Sequence, residues 1–173
     1  MTALRVPWDR DWLQVTPEKF ERLVVEYLWS LDDLKDFDVR HRAVVKGPDG
    51  EFEMDAVATF EALGAEFIVL VECKHHRNPI KRELVQVLRD KVRSVNAQKG
   101  MLCATAPFQK GAVEYALSQR IALVHFVEGG PVYESRDRSA DDGPCREFEA
   151  YLVSETKDGE MQYGLSTREY LFD

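Results

Sequence analysis

Five consecutive apolar residues, Phe67-Ile68-Val69-Leu70-Val71, run directly into Glu72-Cys73-Lys74. A strand that is apolar on both faces belongs in the middle of a sheet covered on both sides. This run therefore requires a layered α/β core and places the charges that end it at a sheet rim. Side chains alternate along a strand, so Glu72 and Lys74 share one face and Cys73 takes the other.

The flanking segments complete the layers. Thr16-Pro17-Glu18 combines an N-cap, a proline at the first helical position and an early acid. Phe20, Leu23, Val24, Tyr27 and Leu28 follow at helical spacing, which predicts a first helix over about 17–29. Alternation in 37–46, the turn signal Gly47-Pro48-Asp49-Gly50 and a strand over 51–60 predict a hairpin. That second strand should place Phe52, Met54, Ala56, Ala58 and Phe60 on one face, and Glu53 and Asp55 on the other, away from the core. Gly64 turns the chain into the central strand. A helix opened by Asn78-Pro79 should then bury Ile80, Leu84, Val87, Leu88, Val92 and Val95. A strand over 101–105, a helix over 108–119 and a strand over 121–127 follow. The order is α-β-β-β-α-β-α-β. Beyond Gly129-Gly130 the chain becomes acidic and rich in loop residues, with two strands near 151–155 and 161–165. We expect one domain over 1–130, with 131–173 as a small C-terminal extension packed on it.

Composition excludes several classes. A chain of 173 residues is long enough to bury a core without disulfides, and no apolar stretch approaches the ~18 residues of a membrane span. The N-terminus lacks the build of a signal peptide, so a cytoplasmic protein with no membrane partner is expected. Cys73, Cys103 and Cys145 form no zinc-type spacing, and the first two read as small core residues. The net charge of −8 argues against coating nucleic acid by bulk attraction, yet the charge is unevenly placed. Residues 74–110 hold nine Lys/Arg against two acids, a surplus of seven, which leaves −15 for the remainder.

Asp55 and Glu72, seventeen residues apart, could meet on neighbouring strands of one hairpin. Two carboxylates about 4 Å apart repel by roughly 1 kcal/mol in water and about 4 kcal/mol at an effective dielectric of 20, so such a pair calls for a hard cation. Magnesium or manganese suits oxygen donors. Lys74 would point to the same place and could orient an attacking water or stabilise developing charge. The triplet alone is weak, because Asp33/Lys35 and Glu155/Lys157 repeat it. On the residues alone, a solvated Glu72–Lys74 pair is as good a reading as a catalytic one.

Residues 16–126 resemble the Mrr-like catalytic domain of type IV restriction endonucleases, within the PD-(D/E)xK nuclease superfamily. The match runs through Thr16-Pro17-Glu18-Lys19-Phe20-Glu21, Asp55, Glu72-Cys73-Lys74, Gln86, Ala104-Thr105, Phe108, Gly111-Ala112 and Ile121-Ala122-Leu123-Val124. The resemblance implies a restriction-endonuclease-like three-layer α/β fold, with an α-β-β-β-α-β core and a mixed central sheet flanked by helices. It also implies a metal-dependent endonuclease acting on DNA in restriction or defence. Asp55, Glu72 and the backbone carbonyl of Cys73 would hold Mg2+ or Mn2+, and Lys74 would serve the water. Glu21 would stand near the metal through a water, and Gln86 on the inner face of the helix after the motif. Glu21 and Gln86 can equally be read as solvated helix residues. Glu53 can be read as an extra ligand or as a rim charge.

Arg77, Lys81, Arg82, Arg89 and Arg93 could neutralise phosphates, with a solvated helix face as the alternative. His75 and His76 diverge along a strand and are expected to meet phosphate or solvent. The approach to Asp55 is less glycine-rich than the family's pattern, and no winged-helix recognition domain is attached. Modified-DNA restriction is then not the expected task of these residues alone; the candidate partners are a homodimer, since cutting both strands of a duplex calls for two sites, and a separate recognition protein. The alternative function is a non-catalytic nucleic-acid- or protein-binding module that retains the nuclease fold.

Overall fold

A computed structural model describes residues 15–31, 34–127, 130–135, 151–155 and 161–165. The first helix, α1 (Pro17–Trp29), begins as its sequence requires: Thr16 is extended, and its hydroxyl accepts the Lys19 N–H at 3.2 Å. Three strands follow, β1 (Lys35–Gly47), β2 (Gly50–Ala62) and β3 (Ala65–Lys74), paired antiparallel in order. Pro48-Asp49 and Leu63-Gly64 form the two tight turns, the second with both residues at positive φ (54° and 76°). Helix α2 (Arg82–Ser94) leads to β4 (Lys99–Ala104), α3 (Lys110–Gln119) and β5 (Ala122–Val127), and both new strands add in parallel. A sixth strand, β6 (Gly130–Ser135), returns antiparallel on β5. The mixed sheet has the order β1-β2-β3-β4-β5-β6, while β7 (Tyr151–Glu155) and β8 (Met161–Leu165) pair with each other.

The core lies in two separate clusters, one on each face of the sheet. Phe20, Val24, Tyr27 and Leu28 of α1 pack on Ala56, Ala58, Val71, Cys103, Val124 and Phe126. Val85, Leu88, Val92, Ala112 and Ala116 of α2 and α3 pack on Val57, Leu70, Leu102, Ala104 and Leu123. The central strand feeds both clusters, which is why its sequence is apolar throughout. This is the three-layer α/β architecture expected from the sequence.

Three details depart from expectation. Phe52 and Met54 join the cluster beneath α2, whereas Ala56 and Ala58 face α1, so the alternation of β2 reverses at Asp55. Beside it in β1, Arg42 has φ of 50°, a backbone conformation that a long L side chain rarely adopts, and β1 changes face there too: Val39 packs beneath α1 and Ala43 beneath α2. A period-two reading assumes uniformly extended backbone and cannot register such a reversal. Second, α2 begins at Arg82; Ile80 instead pairs with Phe108 and donates its N–H to the Pro107 carbonyl at 2.8 Å. The buried stripe then uses Val85, and Val87 is exposed. Third, β6 forms over 130–135, a stretch for which the sequence predicts no strand because Gly129-Gly130-Pro131 interrupts a short alternation. The buried Ser135 hydroxyl fastens it by donating to the Ile121 carbonyl at 2.9 Å.

Gly100 sits where α2 and Ile121, between α3 and β5, press on β4. A Cβ there would fall 2.8 Å from Val92 Cγ2 and 2.9 Å from Ile121 Cδ1. Gly100→Ala is therefore expected to destabilise the fold by about 1–3 kcal/mol through overpacking. Urea unfolding measures it, and an unchanged midpoint would contradict this account of the packing.

Candidate active site

The site is built where two strands part. The β2–β3 ladder ends at the pair Ala56 and Val71, while β2 continues against β1 and β3 continues against β4 as far as Lys74. A notch opens between them, and Asp55 and Glu72, the next residues on either side, stand at its mouth. Asp55 fills part of the gap itself: its Oδ2 accepts the Cys73 N–H at 2.6 Å, replacing the lost ladder bond. A strand residue directs its N–H and C=O to the same side, so the Cys73 carbonyl also opens toward β2. The Lys74 carbonyl, one residue on, points the other way and accepts the Thr105 N–H at 3.1 Å.

Glu72 lies between two ammonium groups. Lys74 Nζ is 2.5 Å from its Oε1 and Lys91 Nζ is 3.0 Å from its Oε2. All three side chains are largely buried, at 14%, 22% and 19% exposure, so solvent screens these contacts less than surface pairs. Burial pushes the Glu72 carboxyl up, but the bonds and charges of Lys74 and Lys91 more than offset it and leave it below the usual range. Asp55 is shifted the other way: burial raises it, the Cys73 N–H opposes, and the charge of Glu72 adds to the rise.

Glu21 approaches from α1. Its Oε2 lies 2.9 Å from His41 Nε2 and 3.0 Å from Arg42 Nε, and Arg42 also reaches Glu18 at 3.2 Å. Burial raises the Glu21 carboxyl, and the bonds from Arg42 and His41 bring it below its ordinary value. Its charge adds slightly to the rise of Asp55 and Cys73, while its bonds point to β1.

The other expected residues are distributed more widely. Gln86 is half-buried on α2 and, among the described residues, forms no hydrogen bond with the site. Arg82 lies over the Tyr115 ring, 4.7 Å from its centroid, and Arg89 Nε donates to Gln119 Oε1 at 3.2 Å, so both help to fasten α2 to α3. Arg77, Lys81 and Arg93 are exposed. Glu53 is exposed on the rim, and Asp49 accepts the Ser94 hydroxyl at 2.9 Å. His75 turns toward α1, its ring 6.0 Å from Phe20, while His76 is exposed.

Two neighbours of the site had not been singled out from the sequence. Lys91 had a legible signal: it occupies a position of the stripe Leu84, Leu88, Val95, where a charge needs a partner. His41 had none, because its contact with Glu21 depends on how α1 crosses β1.

The donor set suits a hard divalent ion. Among the described residues no three His, Cys, Asp or Glu side chains cluster as a metal site. Two carboxylates and a backbone carbonyl are nevertheless the sparse, all-oxygen set that magnesium accepts, with waters filling the remainder. A cation there would also relieve the desolvation and like-charge repulsion that raise Asp55.

The six-stranded mixed sheet with helices on both faces is a restriction-endonuclease-like fold, and Asp55, Glu72 and Lys74 lie where its β2 and β3 part. A family model described as restriction endonuclease, Mrr_cat, matches residues 12–128, and the chain belongs to that family. A solved structure titled as a protein of unknown function, AF1548, is similar in fold, with a TM-score of 0.52 and 20% identity over 62% of this chain. The likeness spans 57% of that chain's length. No curated protein matches this sequence. Among the described residues no helix is long and apolar enough to cross a membrane.

Proposed function

We propose that this chain is a divalent-metal-dependent endonuclease that hydrolyses DNA phosphodiester bonds, with Asp55, Glu72 and the Cys73 carbonyl as the metal-holding set. The observation that carries this reading is the notch itself: two acids from adjacent strands face each other across it, with Lys74 bonded to one of them. A divalent ion bound there supplies positive charge at the phosphate and eases deprotonation of the attacking water. The chain's own residues supply the rest. Asp55 is anchored on the Cys73 N–H so that its remaining lone pairs face the notch. Lys74, on the same face as Glu72, places an ammonium where a water must lose its proton and where charge builds on the phosphate. Arg77, Lys81, Arg82, Arg89 and Arg93 are the candidates for phosphate neutralisation, with a salt-dependent contribution to affinity; Arg82 and Arg89 also brace α3. Cutting both strands of a duplex calls for two such sites, which a homodimer would supply.

The test is supercoiled plasmid incubated with magnesium or manganese. Wild type should convert it to nicked and linear forms, and Lys74→Met should slow this by about a hundredfold or more, the scale expected when a group acting on developing charge is removed. Equal nicking by both proteins would sink the proposal.

One observation favours the alternative of a binding module that keeps the nuclease fold. Glu72 already has both oxygens engaged by lysines. Calorimetry with manganese separates the two readings, since a pure binding module has no use for the ion.

A further inference from the structure

Glu72 is the only one of the two facing acids with a cation on each oxygen. An ammonium on Oε1 and another on Oε2 leave each oxygen a further lone pair but already neutralise the carboxylate, so a divalent ion that shares Glu72 meets two positive charges at contact distance and is held better if one of them withdraws. The two lysines are not equivalent. Lys74 lies two residues along the same strand, and alternation keeps it on the same face as Glu72 whatever else binds. Lys91 comes from a separate element, α2, with a side chain long enough to reach Glu72 Oε2 at 3.0 Å or to retract along the helix. Its backbone is held by Leu88 and Val92 on either side, both packed in the core beneath α2, so the helix stays in place while the ammonium moves.

We propose that Lys91 is an internal stand-in for the divalent ion: its ammonium neutralises Glu72 in the metal-free protein and withdraws when the ion is held. Lys91 thereby competes with metal and sets the concentration at which the site loads. This rests on the metal-holding assignment of Asp55 and Glu72 above. It adds a positioning residue from α2 that the strand motif does not contain. The competition has a physical basis: a charge of +1 is already within contact distance of the acid that a +2 ion must engage, in a place where solvent screens poorly.

Lys91→Met keeps the length of the side chain and removes the charge, and Lys91→Arg keeps the charge. Calorimetric titration of metal-free protein with Mn2+ is expected to show Lys91→Met binding about tenfold or more tightly than wild type, with Lys91→Arg close to wild type. The metal-free Lys91→Met protein should also melt lower, because Glu72 loses one of its two partners, and added Mn2+ should raise its melting temperature by more than it raises that of wild type. Binding by Lys91→Met that is equal to or weaker than wild type, when wild type does bind, overturns the competition and leaves the metal site standing. Absence of Mn2+ binding in all three proteins overturns both. Binding by Lys91→Met alone would be the strongest support.

Discussion

Replacing Asp55 with asparagine is expected to have two opposite effects: a higher melting temperature for the metal-free protein, and DNA cleavage slower by about a thousandfold or more. Both follow from where Asp55 lies. Burial is the largest influence on its carboxyl and raises it, the Cys73 N–H opposes, and the neighbouring Glu72 charge raises it further. A carboxyl whose folded pKa exceeds its unfolded one binds its proton more tightly in the fold. Its ionised form is therefore a stability penalty, complete above the folded pKa and relieved as pH falls toward the unfolded one. Asparagine never ionises, so at neutral pH it removes that penalty while its amide oxygen can still accept the Cys73 N–H. The gain in melting temperature should shrink as pH falls from the raised folded pKa toward the ordinary aspartate value, and be gone below it, where aspartate is neutral in both states. Cleavage is lost because the amide is a far poorer donor for a hard cation. A variant that melts lower at neutral pH would overturn the stability penalty, and one that cuts at the wild-type rate would show that Asp55 is a structural plug in the notch and nothing more.

That trade between stability and chemistry explains which parts of the site could be read from the sequence. The Phe67–Val71 run could only be a central strand, and its acidic, lysine-bearing end could only be a rim, so Glu72 and Lys74 were legible from local pattern. Asp55 was legible as the acid of the preceding strand, but its placement was not. The reversal of β2 depends on Arg42 adopting a positive φ, which is stabilised by the reach of its guanidinium to Glu21 and Glu18 on a helix over twenty residues away. Tertiary contacts of this kind leave no periodic trace. The same holds for Arg82 and Arg89: nothing in a face of positive charge announces that Tyr115 and Gln119 of α3 engage them in the fold. A helix face with charged residues does not show from sequence alone whether solvent, another helix or a nucleic acid lies opposite. Lys91 is the instructive exception, because a charge on an otherwise apolar stripe demands a buried counter-charge, and Glu72 is that counter-charge.

Phe20→Ala is expected to be the most destabilising single change in α1, costing about 3–5 kcal/mol, the usual range for a buried phenylalanine truncated to alanine. Phe20 has no exposed surface and sets its ring edge-on to Phe126 of β5, 5.4 Å between centroids at 89°. Tyr27, two turns along the same face, repeats the arrangement on the other side of Phe126 at 5.6 Å. The helix thus grips one aromatic ring from two sides, and the alanine variant loses one jaw and leaves a cavity between α1 and the sheet. With typical domain stabilities of about 5–15 kcal/mol, the loss would be a large fraction of the whole. The consequence reaches the notch, because Glu21 is the next residue, and its bonds to His41 and Arg42 hold only while α1 stays seated. Urea unfolding gives the magnitude, and hydrogen exchange shows whether α1 opens before the rest of the sheet. Glu21→Gln separates packing from charge, since it leaves the Phe20–Phe126 contact untouched and should cost far less. If Phe20→Ala shifted stability by less than about 1 kcal/mol, well under the range for core aromatics, α1 would be a loosely held cover over the sheet. Glu21 could then not be counted on to stand beside Asp55, and the charge environment described for the notch would have to be built from β2, β3 and α2 alone.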